Sequence, residues 1–287
     1  MFAQQLVNGL SIGCMYSLVS MGYSMVYGIL RIVNFAHGEI FMMGTFVALL
    51  LYQTGIGPLP AFVCAVLLTS CLGILLERIA YRPIRSADAS SVLISSVGAS
   101  TFLLNLAQVL FGPETQPFRY PVSTLAIGTV ALTDVQIYMA VLTALLIFIL
   151  FFVIQKTKIG TAMRATSHSV KNAKLMGINT NFIIAFTFAI GSALACIAGI
   201  LIGIFFDAVW PGMGFIYGIK AFAAAILGGI GNLPGALVGG LFIGTIETLG
   251  TAYISSGWRN GYAFGILILV LIFKPSGIFG KTNREKV

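Results

Sequence analysis

"AILGGIGNLPGALVGG", residues 225–240, holds six glycines and one proline and no charge in sixteen residues. Glycines crowded in this way cradle a phosphate, let two helices touch, or break a helix inside a membrane. The three uses belong to three kinds of protein, so the rest of the chain has to choose among them.

Composition narrows the choice first. The 287 residues are 58% hydrophobic and 8% charged, with a mean hydropathy of +1.00. A soluble domain carries about 25% charged residues. Apolar runs near spanning length recur along the whole chain, as an integral membrane protein requires. Candidate spans fall at 5–30, 36–53, 59–79, 90–111, 134–154, 181–206, 216–230, 235–255 and 260–274. The seventh and eighth flank the opening glycines. The expected fold is all-α: one transmembrane domain over 1–287, a polytopic bundle of eight or nine helices with broken or re-entrant segments. Arg31 is the first basic residue, so the N-terminal stretch reads as the first span and not as a cleaved signal.

The net charge of +8 follows from the loops. Arg31, Arg78, Arg82 and Arg85, then Lys156, Lys158, Arg164, Lys171 and Lys174, then Lys274, Lys281, Arg284 and Lys286 share one side if the spans alternate. Arg119, Lys220 and Arg259 lie at or near the other. Basic residues collect in cytoplasmic loops, which puts the N-terminus outside and the C-terminus in the cytoplasm. The excess of positive charge then calls for no nucleic-acid partner. Residues 112–133 form a nearly neutral external loop. Residues 155–180 form a basic internal loop with a modest apolar stripe of Ala162, Ala165, Ala173 and Met176, suited to anionic lipid or to a partner.

"GIGPLP" at 55–60 and "GIGNLP" at 229–234 agree at five of six positions, on opposite sides of this topology. Paired Gly/Pro breaks of opposite orientation mark inverted-repeat transporters.

Chemistry is sparse. Gly229 and Gly231 begin G-x-G-x-x-G, but Pro234 takes the third glycine, with no strand before it and no Walker lysine after it. The four cysteines, Cys14, Cys64, Cys71 and Cys196, sit in apolar stretches without C-x-x-C spacing and read as packing residues. No metal site is expected. Asn34, His37 and Glu39 in "NFAHGE" form a polar turn between the first two spans. They are candidates for a translocation path, or, as a remoter alternative, for an intramembrane enzyme built on His37 and Glu39. Glu247 lies mid-span, where an isolated charge costs on the order of 2.5–3.5 kcal/mol. It is either a path residue, as in an ion-coupled secondary transporter, or one half of an ion pair with Lys220 or Arg259.

Small residues recur four apart: Gly191, Ala195, Gly199 and Gly203 in the sixth span, and Ala236, Gly240, Gly244 and Thr248 in the eighth. They predict close helix packing and a subunit interface.

Two stretches carry a family likeness. "RIVNFAHGEIFMMGTF" (31–46) and "FAAAILGGIGNLPGALVGGLFIGTIE" (222–247) together resemble the permease subunits of branched-chain amino acid ABC importers, the LivH/LivM family, on the LivH side. The resemblance implies a bacterial inner-membrane permease for branched-chain amino acids with no enzyme activity of its own; relatives in the family carry urea or short amides. It also implies a LivM-type permease partner in a heterodimer, two ATPase subunits that bind ATP–Mg, and a periplasmic or extracellular binding protein. This chain itself would bind no cofactor. The basic loop is similar to the family's ATPase-coupling segment, with Gly160, Arg164, Ala165, Asn172, Ala173 and Gly177 at matching positions. The general importer pattern E-A-A-x-x-x-G is met only in part, since Lys171 replaces its Glu and Asn172 its first Ala. The opening stretch then reads as two features in sequence. Gly228, Gly229, Gly231, Asn232, Pro234 and Gly235 break a helix, and Gly235 to Gly244 line a packing seam.

Overall fold

The computed structural model describes residues 1–85, 87–128 and 130–280. Lys281, Arg284 and Lys286 of the basic tail lie outside them.

Nine helices correspond one to one with the expected spans: α1 (Phe2–Leu30), α2 (His37–Gln53), α3 (Pro58–Leu76, prolonged by a π turn through Tyr81) and α4 (Ala89–Phe111). After a β-hairpin come α5 (Asp134–Lys156) and two short helices, α6 (Lys158–His168) and α7 (Val170–Leu175). The chain ends in α8 (Thr180–Phe205), α9 (Met213–Gly228), α10 (Leu233–Tyr253) and α11 (Arg259–Phe273). The hairpin, β1 (Thr124–Ile127) against β2 (Val130–Thr133), lies within loop 112–133 and leaves the fold predominantly helical. It is tied to the start of α1: Gln4 donates to the Ala131 carbonyl at 2.9 Å and accepts from the Ala131 amide at 2.8 Å. Thr133 then caps α5, with Gln136 returning the bond.

Three of the nine helices, α2, α9 and α11, are shorter than a span, and α11 reaches spanning length only with the 3-10 turn Ser256–Trp258 before it. Among the described residues seven helices have the length and apolarity of a span. α2 has 17 residues and α9 has 16, about 25 Å each, against a hydrocarbon core of about 30 Å. Both begin inside the protein. His37 packs edge-on against Tyr23 at 4.6 Å and beside Gly22, which lies about 12 Å below the Leu30 end of α1. Gly38 meets Gly214 and Gly218 so closely that a Cβ on any of the three would collide with backbone or with Glu39. The starts of α2 and α9 therefore meet at depth, and the helices leave the meeting point towards opposite faces. Residues 32–36 and 206–212, which lead to these starts, are non-helical chain, buried at Asn34, Ala36, Val209 and Pro211. Such backbone needs partners within the protein. Ser96 of α4 accepts from the Phe35 amide at 2.9 Å, and the Tyr81 hydroxyl donates to Asn34 Oδ1 at 2.6 Å.

The arrangement repeats with inverted direction. α1 packs on α10 as α8 packs on α3, and α9 lies against α1 as α2 lies against α8. Left-handed residues mark equivalent bends, Arg31 (φ 55°) after α1 and Asp207 (φ 47°) after α8. The two Gly-Ile-Gly echoes fold alike on opposite faces: Gly55 and Gly57 have φ of 82° and 92°, Gly229 and Gly231 of 97° and 88°. A proline follows within the first turn of α3 and of α10.

The small-residue stripes act within the chain and not at a subunit boundary, which corrects the interface expectation. α10 turns Gly240 and Gly244 to Ser17 and Gly13 of α1, and Gly235 and Gly239 to Gly228 and Ala224 of α9. Ala236 is fully buried at this seam and its carbonyl accepts from Ser20. In α8, Gly191 faces Gly22 and His37, Gly199 and Gly203 face Thr45 of α2, and Ala195 is fully buried.

Candidate functional site

The polar residues expected on a path separate into two places. Glu247 of α10 is buried, and both of its oxygens are used. Oε1 accepts from Lys220 Nζ at 2.8 Å and from Arg259 Nε at 2.9 Å, and Oε2 accepts from the Tyr16 hydroxyl at 2.9 Å. Lys220 is itself 2% exposed, between the rings of Tyr16 and Tyr217. This corrects its expected position near the outer surface: it lies inside α9, and Glu247 draws it into the bundle. The cluster joins α1, α9, α10 and α11. Arg259, at the start of α11, is partly open and stacks on Phe206.

Asn34, His37 and Glu39 are brought together at the start of α2, apart from Glu247. All three are buried, each 1% exposed. Among the described residues each keeps one polar atom without a hydrogen-bond partner: Asn34 Nδ2, His37 Nε2 and Glu39 Oε2. Glu39 Oε1 accepts from the Ser100 hydroxyl at 3.3 Å. A cavity of about 220 Å³ opens beside Glu39, walled by Tyr23, Phe35 and Phe222, by Ser100 and Thr101 of α4, and by Gly214 and Gly218. The aromatic walls and α4 went unrecognised in the sequence. Their signal was present as Ser96, Ser100 and Thr101, within a span that is unusually rich in polar residues. The arrangement can hold a small ligand with a donor or cation at one end.

At the second end of the bundle the chain leaves helix at Gly228 and re-enters it at Leu233. Gly229 and Gly231 take left-handed backbone, which an L side chain resists. Asn232 caps α10 by accepting from the Gly235 amide at 3.2 Å, and donates to the Phe279 carbonyl at 2.9 Å. Pro234 stands in the first turn of α10, where its missing donor costs nothing. A cleft of about 640 Å³ lies between this turn, Arg31 and the end of α5. A smaller one joins Gly231 to Met163, Arg164 and Ser167 of α6.

The basic loop folds as α6 and α7. Thr157 caps the first by accepting from the Gly160 amide, and Ser169 caps the second by accepting from Asn172. Gly160 fits under the last carbonyls of α5, where a Cβ would collide. Arg164 folds back to donate to the Ile154 carbonyl. Ala165 is half-buried, Ala173 is buried, Asn172 is exposed and Gly177 turns the chain with φ 79°. The expected apolar stripe is corrected here: Met163 and Thr166 face the bundle, while Met176 faces out. Leu175 and Met176 stand 78% and 82% exposed at the tip, next to Lys171 and Lys174.

Residues 5–273 match the family described as "Branched-chain amino acid transport system / permease component". The chain is 42% identical to the high-affinity branched-chain amino acid transport system permease protein BraD of Pseudomonas aeruginosa, covering 100% of this chain and 98% of that one. It is 40% identical, with the same coverage, to the corresponding LivH protein of Escherichia coli. A probable LivH of Methanocaldococcus jannaschii is 28% identical over 92% of this chain and 88% of its own.

Proposed function

Because the chain belongs to the branched-chain amino acid transport system permease family, we propose that it imports branched-chain amino acids as one membrane subunit of an ATP-driven complex. It is a multi-pass membrane protein and a transport subunit, not an enzyme. The observation that carries the substrate is the identity of 39–42%, across the whole chain, to permeases of that named specificity.

In this reading the N-terminus and the β-hairpin face outward, and α6, α7 and the turn at 229–232 face the cytoplasm of a bacterial inner membrane. The basic residues of the described loops support that orientation, since only Arg119 and Arg259 stand at the hairpin end. A LivM-type permease completes the path, and a periplasmic or extracellular binding protein delivers the amino acid. Two ATPase subunits bind ATP–Mg and dock on α7, whose exposed Leu175 and Met176 supply an apolar contact ringed by lysines. The turn at 229–232, sharing a cleft with α6, is placed to feel that contact.

The test is reconstitution of the chain with its ATPase, second permease and binding protein in liposomes. Uptake of leucine that requires ATP and the binding protein supports the reading. Uptake of urea or short amides in place of leucine, or uptake driven by an ion gradient without ATP, refutes it. Cysteines placed between 164 and 177 crosslink to the ATPase subunit if α6–α7 is the docking element.

A further inference from the structure

We propose that the cavity around Glu39 receives the ammonium group of the transported amino acid, on a path that continues along the polar face of α4. The inference rests on the functional reading above and adds a site to it.

Three acids are buried among the described residues, Glu39, Glu77 and Glu247, and Glu77 is paired with Arg85. Glu247 has a partner for each oxygen, whereas Glu39, equally buried, has one weak partner and a free Oε2. A buried polar atom without a partner is costly, and a carboxyl oxygen in hydrocarbon more so. The free oxygen lies against Gly214, whose missing side chain leaves it room, and both residues line the same cavity. The chain thus keeps an unpartnered, buried acceptor in the wall of the cavity. A donor of positive charge is what completes it.

The walls suit the same guest. Tyr23, Phe35 and Phe222 present aromatic surface around the acid. Aromatic faces attract an ammonium and also give an aliphatic side chain an apolar bed. The volume, about 220 Å³, lies below the roughly 300–1,000 Å³ of drug-sized pockets and matches a molecule no larger than one amino acid. The cavity also lies where α2 and α9 both begin inside the bundle. Broken helices of this kind place substrate sites near the middle of the membrane.

An independent observation gives the direction of the path. α4 exposes Gly98, Thr101, Asn105 and Gln108, three and four residues apart and therefore on one face. The Asn105 side chain turns back to the Thr101 carbonyl at 2.7 Å, as an amide does when no other partner is at hand. Polar side chains on a spanning helix face protein or water, not lipid. Thr101 belongs both to this stripe and to the cavity wall. The cavity therefore opens sideways onto a surface that water and the second permease cover.

The experiment uses the complete complex with the four native cysteines replaced by serine and Thr101→Cys introduced. A cationic methanethiosulfonate reagent labels the new thiol, and leucine or its deamino analogue 4-methylpentanoate is added as protectant. The expected result is protection by leucine, and at least tenfold weaker protection by the analogue. Glu39→Gln removes that preference, and Glu39→Asp, which keeps the charge, retains it. Equal preference in the Glu39→Gln complex overturns the inference, as does a complex that imports leucine without protecting the thiol. A wild-type complex that imports no leucine overturns the functional reading, and the ammonium assignment falls with it.

Discussion

Lys220 of α9 and Glu247 of α10 form a 2.8 Å ion pair with neither side chain more than 2% exposed. Tyr16 and Arg259 complete the carboxylate's shell, so one acid ties four helices together. Removing one partner of a buried pair leaves an uncompensated charge and costs about 3–5 kcal/mol, whereas replacing both by apolar groups is often neutral. Glu247→Met alone, which leaves Lys220 buried without a counter-charge, should therefore lower the melting temperature of the detergent-solubilised chain clearly. Lys220→Met with Glu247→Met should recover most of the loss. A single variant as stable as wild type would show that the pair does not hold the bundle.

Arg259 touches the same oxygen but is 37% exposed, and solvent screens it. Arg259→Gln should cost much less than Glu247→Met in the same melting assay. An ion-coupled mechanism through Glu247 predicts in addition that Glu247→Gln alters the ion dependence of uptake. With both oxygens occupied, the expected outcome is an effect on stability and none on ion dependence.

The crossing of α2 and α9 depends on glycine. A methyl group at Gly38 or Gly218 meets backbone of the facing helix. Overpacking of this kind costs about 1–3 kcal/mol. Gly38→Ala and Gly218→Ala should each reduce the yield of monodisperse protein on size-exclusion chromatography. Gly98, with no atom near its missing Cβ, is the control: Gly98→Ala should leave yield and melting temperature unchanged or slightly improved.

Much of this architecture was legible in the residues, for reasons that differ by element. Runs such as α5 and α8 announce themselves because hydrocarbon demands a continuous apolar stretch. The turn at 229–232 was legible because only glycine takes φ values near 90°, and Asn232 is a strong cap. The short lengths of α2 and α9 were legible too, since the expected spans 36–53 and 216–230 already fall below bilayer length. What spacing could not show is that their starts meet inside the bundle, because that contact joins segments far apart in the chain. The pairing of Glu247 was foreseeable as one of two options, because few cations occur near it. The Glu39 cavity was not foreseeable, because its walls come from α1, α4 and α9, and spacing within one segment cannot show which helices meet. The apolar tip of α7 was half seen: Met176 entered the stripe on periodicity, but Ser169 restarts the helix and turns that residue outward.

The tip of α7 gives a prediction about coupling. Leu175 and Met176 project from a six-residue helix with little of the bundle behind them, so substitution there should not disturb folding. Leu175→Ser with Met176→Ser should preserve expression and melting temperature. Leucine uptake by the reconstituted complex should fall by tenfold or more, with less ATPase copurifying. Unchanged copurification would move the docking surface elsewhere on the protein.

Asn232 performs two tasks that separate substitutions can part. Its Oδ1 caps α10 at the Gly235 amide, and its Nδ2 holds the Phe279 carbonyl of the C-terminal segment. Asn232→Asp keeps the cap and loses only the second bond, whereas Asn232→Ala loses both. A lost N-cap costs about 1 kcal/mol, and a single neutral hydrogen bond about the same. Asn232→Ala should therefore melt lower than Asn232→Asp, with wild type highest. The C-terminal segment gives the second readout. Ile278 also bonds the Leu227 carbonyl at 2.8 Å, so residues 278–280 are pinned to the turn from two sides. Freed of Asn232, they should exchange amide hydrogens faster in both variants alike. If only Asn232→Ala shows faster exchange, the cap and not the Phe279 bond holds the segment in place.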